Sequence, residues 1–232
     1  MSIFAIGDTH LSFGADKSMN IFRGWDNYVE RLEKNWKSII TDDDTVVIMG
    51  DVSWAMSLEA ALPDFKFLES LPGEKIILKG NHDYWWNTKK KMDAFFEENN
   101  LKSIKILHNN AYRVGDYSIC GTRGWFFDAE KDSDNKIVLR EIGRLKASID
   151  CGRELGGEPI VFFHYPPVNT VQKCDLIYDT LINEKIKRCY YAHIHSASVK
   201  LAFNGEKDGI FFALLSSDYL SFCPKLIEMI KN

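Results

Sequence analysis

Apolar positions along the chain fall into two kinds of pattern. Short unbroken runs rich in Ile, Val, Phe and Tyr occur at residues 2–6, 45–49, 75–78, 160–163 and 188–191. Each run ends in glycine or a polar cluster, as a buried strand does when it enters a loop. Between the runs, Trp25, Tyr28, Val29, Leu32, Trp36, Ile39 and Ile40 recur with a helical period and predict an amphipathic helix. Leu58, Leu62, Phe65 and Leu68 predict a second helix, which Pro63 is expected to break or restart. Further helical patterns lie near 88–98 and 136–150. The stretches 111–121 and 199–214 read as hairpins, turning at Gly115-Asp116 and Asn204-Gly205. The segment that holds Asp175 and Asp179 follows neither pattern. Strands alternating with helices predict an α/β sheet covered by helices, with the hairpins adding antiparallel strands. No Pro/Ser-rich linker, fixed-period repeat or low-complexity tract divides residues 1–232, so a single domain is expected.

Charge and cysteine usage narrow the class. Lys plus Arg number 29 and Asp plus Glu 33, a formal charge of −4. This balance does not favour a polyanion binder held by bulk charge, and Lys89-Lys90-Lys91 is too short for a polybasic patch. No apolar stretch approaches the ~20 residues of a membrane-spanning helix, so no membrane partner is expected. The first eight residues carry neither a basic region nor a cleavage site, so no signal peptide is expected. The 5 cysteines are widely spaced without a Cys-x-x-Cys pair, which predicts a reducing, cytoplasmic setting and no disulfide framework. Oligomeric state is open at this level.

The informative residues stand just after the apolar runs: Gly7-Asp8-Thr9-His10, Gly50-Asp51, Gly80-Asn81-His82-Asp83, His164, and His193-Ile194-His195. Of the 6 histidines only His108, read as a loop residue, lies elsewhere. Open α/β sheets bind ligands at the carboxyl ends of their strands. Asp8 and His10, like His193 and His195, are two apart and in extended chain would point the same way. Asp8, His10, Asp51, Asn81, His164, His193 and His195 are too many donors for one tetrahedral ion but suit two ions sharing a carboxylate, with Asp51 as the natural bridge. Nitrogen and oxygen donors without thiolate suit Mn, Fe or Zn. Two carboxylates under two divalent ions leave a positive site that favours an anion. A metal pair ~3.5–4 Å apart activates water and clamps a phosphoryl group. The chain has no phosphate-binding loop and no nucleophile elbow, so metal-held water is the expected nucleophile. His82 is placed to protonate the leaving oxygen, and Asp83 to orient that imidazole and raise its pKa.

Other residues have competing readings. Arg123 and Asn81 are the candidate substrate contacts; Arg123 offers a fork of donors to a phosphate, or equally a surface ion pair. Trp54, Tyr84, Trp85, Trp86, Trp125, Phe126 and Phe127 could stack a base or an apolar leaving group, although a rim supporting the loops is the stronger reading. Asp42-Asp43-Asp44 reads as a solvated turn.

The series Asp8-x-His10, Gly50-Asp51, Gly80-Asn81-His82-Asp83, His164 and His193-x-His195 resembles the calcineurin-like metallophosphoesterase superfamily over residues 7–195. The resemblance implies a β-sandwich flanked by helices, four layers in the order α/β/β/α, with a binuclear centre at the strand ends. Asp8, His10, Asp51 and His195 would hold one metal, and Asp51, Asn81, His164 and His193 the other. His82 would be the general acid, with Asp83 behind it. Ala192 stands where the family usually has glycine. Leu11, Val52-Ser53-Trp54 and Asp83 depart from the protein Ser/Thr phosphatase pattern, and residues 50–56 and 79–86 look like a bacterial branch of phosphohydrolases. The expected activity is hydrolysis of a phosphomonoester or phosphodiester of a small metabolite or nucleotide, with a metal-bridging hydroxide as nucleophile. Two alternatives share the motifs. A nuclease needs a phosphate-tracking groove and steep salt dependence, which the acidic balance disfavours. A non-catalytic interaction module would have lost a ligand or the His of Asn81-His82, and all are present.

Overall fold

The five apolar runs become central strands of two sheets. The computed structural model describes residues 1–125 and 132–230. In the first sheet β1 (Ser2–Ile6), β2 (Thr45–Met49), β3 (Glu74–Leu78) and β4 (Ile104–Ile106) run parallel, and β11 (Lys225–Met229) pairs antiparallel with β1. The second sheet is ordered β5 (Tyr112–Val114), β6 (Tyr117–Thr122), β7 (Glu158–Phe163), β8 (Arg188–Tyr191), β10 (Ile210–Leu214) and β9 (Gly205–Lys207). Its inner four strands are parallel, and each edge is the antiparallel half of a hairpin.

Strand alternation explains the layering. On β1 and β2, Phe4, Ile6, Val46 and Ile48 point to one core, while Ile3, Ala5, Val47 and Met49 point to another. The first core is closed by α1 (Tyr28–Ile39), α2 (Leu58–Glu69) and α3 (Lys89–Glu98) through Trp36, Phe65 and Phe96. The second lies between the sheets, where Val47, Met49 and Leu78 meet Ile160, Phe162 and Tyr190. A third fills the space between the second sheet and α4 (Asp132–Glu154) and α5 (Asp175–Asn183), through Val161, Phe163, Leu145 and Tyr178. The order is therefore helices, sheet, sheet, helices. Both sheets are covered on both faces, which is why their inner strands read as continuous apolar runs rather than alternating ones.

Three local expectations are corrected. Pro63 lies inside α2 without ending it. An interior proline costs about 3 kcal/mol, but Leu58, Ala61, Phe65 and Leu68 bury the helix on both sides of it, and buried Asp64 accepts from the Phe13 amide at 2.7 Å and from Ser53 Oγ. The second hairpin turns at Asp208-Gly209, both with positive φ (52° and 78°), rather than at Asn204-Gly205. Asp-Gly supplies the paired left-handed residues of a two-residue hairpin, whereas Asn204 Oδ1 accepts from the Leu214 amide at 2.8 Å. The segment around Asp175 and Asp179 forms α5, burying Ile177, Tyr178 and Leu181.

Candidate metal centre

All seven candidate ligands meet at one rim of the sandwich, where the parallel strands of both sheets end. Asp8 and His10 follow β1, Asp51 follows β2, Asn81 follows β3, His164 follows β7, and His193 and His195 follow β8. Ligand atoms of Asp8, His10 and His195 lie within 4.8 Å of one another, as do those of Asp51, His164 and His193. Asn81 joins the second group, its Oδ1 2.7 Å from His164 Nε2. Asp51 stands between the groups, with Oδ2 3.9 Å from His10 Nε2 and 3.6 Å from His164 Nε2. Its Oδ1 accepts from the His82 amide at 2.7 Å.

The convergence is not achieved by extended chain. Asp8, His10, Asp51 and His193 all have positive φ, between 45° and 71°. Left-handed backbone costs about 1–2 kcal/mol per non-glycine residue, and such strain concentrates at functional sites. His193 and His195 do not converge; they serve different groups. Side-chain alternation is thus not what brings these residues together. The left-handed turns aim each ligand independently.

Hydrogen bonds behind the ligands fix which atom each presents. His164 Nδ1 lies 3.0 Å from the Met49 carbonyl, so it carries the proton and leaves Nε2 as the donor atom. His195 Nδ1 lies 2.8 Å from Asp218 Oδ1, and Asp218 Oδ2 also takes the Ser196 amide at 3.0 Å. Asp8 Oδ2 accepts from the His193 amide at 2.9 Å. Asp8 Oδ1 and His195 Nε2 face each other at 3.4 Å, both buried and both without a hydrogen-bond partner. Such orphaned atoms call for a cation between them. The donor set therefore fits two metal ions: Asp8, His10 and His195 for one, Asn81, His164 and His193 for the other, with Asp51 facing both.

Electrostatics agree with that placement. Burial raises the Asp8 pKa, but His195, His164 and His10 outweigh it and hold the carboxyl well below the usual range. Burial and the Asp8 charge push Asp51 up to about 8. Burial disfavours the His195 cation, yet Asp8 and Asp218 raise it to about 10. Burial and His164 lower His193 to about 3.

His82 sits at the mouth, its ring 4.4 Å from Trp54 and 5.9 Å from His10. Burial and the Lys17 ammonium lower its pKa. The expected role of Asp83 is corrected. Its buried carboxylate accepts from Gly80 N (2.7 Å), Val52 N (2.8 Å), Asp51 N (2.9 Å) and Trp85 Nε1 (3.0 Å). It does not touch the imidazole; the hydroxyl of Tyr84 stands 3.5 Å from His82 Nδ1 instead. Asp83 positions the backbone of the β2 and β3 exits.

The aromatic residues divide. Trp85 is buried against Phe65, and Trp86 faces His108, so both support loops. Trp54 stacks on His10 (4.8 Å, 14°) under the Lys17 ammonium, 3.3 Å from the ring centroid. Together with Met19, Phe22 and Trp25 it lines a cup of about 250 Å³ that opens onto His10, His82 and His195. Trp125 packs edge-on to Tyr165; Phe126 and Phe127 lie outside the described residues. Arg123 carries its guanidinium over Trp125 and toward Glu141. Asp44 Oδ2 accepts from the Thr41 amide at 2.9 Å, a turn as expected. The sequence reading missed Asp218, although it too follows a strand, in Leu215-Ser216-Ser217-Asp218 after β10.

Comparison with known proteins agrees with this centre. The calcineurin-like phosphoesterase family model matches residues 1–197, and the chain belongs to that family of metal-dependent phosphoester hydrolases. Over 84 residues it is 34% identical to the Methanocaldococcus jannaschii protein MJ1445, a match covering 35% of this chain and 46% of that one. TT1561 of Thermus thermophilus shares the fold with a TM-score of 0.59 at 13% identity, 97% of each chain being covered. The phosphopantetheinyl hydrolase of Mycobacterium tuberculosis does so with a TM-score of 0.57 at 12% identity, covering 100% of this chain and 96% of that one. Among the described residues no helix is long and apolar enough to cross a membrane.

Proposed function

We propose that the chain hydrolyses a phosphoester of a small molecule at a two-metal centre, with His82 donating to the leaving oxygen. The observation that carries this reading is Asp51, whose single carboxylate faces a ligand of each group at 3.6 and 3.9 Å. Two Mn, Fe or Zn ions held there would supply Lewis acidity toward the phosphoryl oxygens and toward water. The chain's own residues do the rest. Met49 and Asp218 hold His164 and His195 in the tautomers that present Nε2. Asp83 fixes the amides of Asp51 and Gly80. His82, on the cup side of the centre, reaches the leaving oxygen. The cup of Met19, Phe22, Trp25 and Trp54 excludes water from an apolar or flat group beside the phosphate, a monoester or diester substituent alike. The Mycobacterium tuberculosis protein of the same fold is named a phosphopantetheinyl hydrolase.

The test is hydrolysis of p-nitrophenyl phosphate and bis-p-nitrophenyl phosphate by the Mn-loaded protein. At least one is cleaved, His82→Ala keeps its metal and slows turnover by ~10²–10⁴-fold, and Asp51→Ala loses both metals rather than one. Two metals bound with neither ester cleaved would overturn the reading.

A further inference from the structure

One strand outward from His164 lies a group of cations that the metal centre does not use. Lys79 leaves β3 two residues before Asn81, and Arg123 leaves β6, whose last residue Thr122 is in register with Phe163 just before His164. Arg144 reaches them from α4. With His108 and Thr122 they line one hollow. One buried carboxylate, Glu141, sits behind the arginines, and that of Asp83 acts on Lys79 from a distance. Glu141 takes a 2.6 Å bond from Arg144 Nη1 and one from Thr122 Oγ1, while Arg123 Nη2 makes only a longer ion pair with it, at 3.9 Å. Three cations thus share one carboxylate in contact, and Arg144 holds it most closely. The ammonium of Lys79 forms no ion pair among the described residues, and Arg123 Nε is buried there without a hydrogen-bond partner.

We infer that Lys79 and Arg123 form a second anion subsite, which takes a phosphoryl group of the substrate other than the one cleaved. A structural role accounts for Arg144, Thr122 and Glu141, but not for an Arg123 Nε that, among the described residues, has no acceptor beside an ammonium in no ion pair; leaving such groups unsatisfied is costly. The guanidinium fork and the ammonium suit a phosphoryl group, one by directed bonds and the other as a point charge. The hollow itself has room for about 10 Å³, one water, so the phosphoryl group rests at its mouth against Lys79 and Arg123. Sheet order sets the direction. The aromatic cup stands at the exits of β1, β2 and β8, the cations at those of β3, β4 and β6, on either side of the metal centre. The substrate then spans from an apolar group, across the scissile phosphate, to a second phosphoryl group. This deepens the proposed phosphoesterase reading and rests on it.

The test compares 1,3-propanediol bisphosphate with propyl phosphate as inhibitors of p-nitrophenyl phosphate hydrolysis, in excess Mn. In the wild type the bisphosphate binds about tenfold more tightly, well beyond the twofold that two equivalent ends supply, since one charge-assisted contact is worth about that factor. In Lys79→Gln and in Arg123→Gln the ratio falls toward two. The ratio is read within each protein, so a change in turnover does not enter it. Lys79→Gln leaves the Glu141 bonds in place, so it serves if the arginine variant does not fold. A wild-type ratio near two, or a large ratio that both variants keep, overturns the subsite. Should the wild type cleave no ester, the phosphoesterase reading fails by itself. Calorimetric titration of the two phosphates then decides the subsite, equal affinities overturning it.

Discussion

Replacing Asp83 by alanine tests whether the metal centre depends on a carboxylate that touches neither metal ligand side chains nor His82. Four buried donors at 3.0 Å or less, the amides of Asp51, Val52 and Gly80 and the Trp85 indole, lose their acceptor, and the Ser53 amide loses a longer contact of 3.4 Å. At about 1.5 kcal/mol for each orphaned donor the loss is ~6 kcal/mol. Against it stands relief of the buried charge. Burial and the neighbouring Asp51 raise the Asp83 pKa from 3.8 to about 6. A raised carboxyl pKa favours the fold below pH ~4, and that advantage is lost as pH rises through about 6. Removing the charge at pH 7 therefore returns about 3 kcal/mol. The net expectation for Asp83→Ala is ~3 kcal/mol of destabilisation at pH 7, growing as the pH falls below 6 and the relief disappears. Urea unfolding of the metal-free protein at pH 7 and pH 5 measures both numbers, with the m value as a check that the unfolded reference is unchanged. The same variant should bind its metals more weakly, because Asp51 and Gly80 are no longer held. Destabilisation below about 1 kcal/mol, with two metals still bound at wild-type affinity, would refute the role assigned to Asp83.

Three further outcomes follow from the same geometry. Asp218→Asn removes the carboxylate behind His195 and should weaken metal binding by ~10–100-fold, read by competition with a chelating dye; unchanged affinity would mean that Asp218 only caps the Ser196 turn. In the metal-free protein at pH 7, Asp51 (about 8) and His195 (about 10) each hold a proton that metal must displace. Filling both sites should thus release about two protons and tighten as pH rises toward 10, which calorimetry in buffers of different ionisation enthalpy detects; binding without proton release would contradict these assignments. Gly80→Ala places a Cβ 2.1 Å from the Asp51 amide and from its Oδ1. A cost of ~1–3 kcal/mol and loss of metal content are expected, and retention of both metals would show that the β3 exit is more compliant than its packing indicates.

Much of the centre is legible from the chain because of burial on both faces. Parallel strands so enclosed are apolar over their last few residues, so Asp8, Asp51, Asn81, His164 and His193 stand out soon after each run. The same logic reaches Asp218, in a polar cluster after β10. What the chain hides depends on contacts between distant segments. Nothing in His82-Asp83 tells that the carboxylate turns back onto Asp51 and Gly80 amides, because that direction is set by how β2 and β3 exits nest. Left-handed backbone at Asp8 and His10 is equally silent, since neither residue type demands it. Pro63 misleads because its local effect is overridden by the buried face of α2. Glu141 and Arg144 look like an ordinary i, i+3 pair on a helix, and only packing brings them to Arg123.

The side chains of each group come from both sheets: Asp8 and His10 from the first with His195 from the second, Asp51 and Asn81 from the first with His164 and His193 from the second. Ions held there would be bolts through a laminate as much as reagents. Elsewhere the sheets are joined by apolar contact between Val47, Met49, Leu78 and Ile160, Phe162, Tyr190, by the Gly7–Ser216 bridge and by the Arg188–Glu228 ion pair, and a coordinated ion would add a further tie at the rim. Metal supply becomes a mechanical variable. Stability gained from such binding would track ion availability by mass action. The same seven side chains would then bear on persistence as well as on turnover.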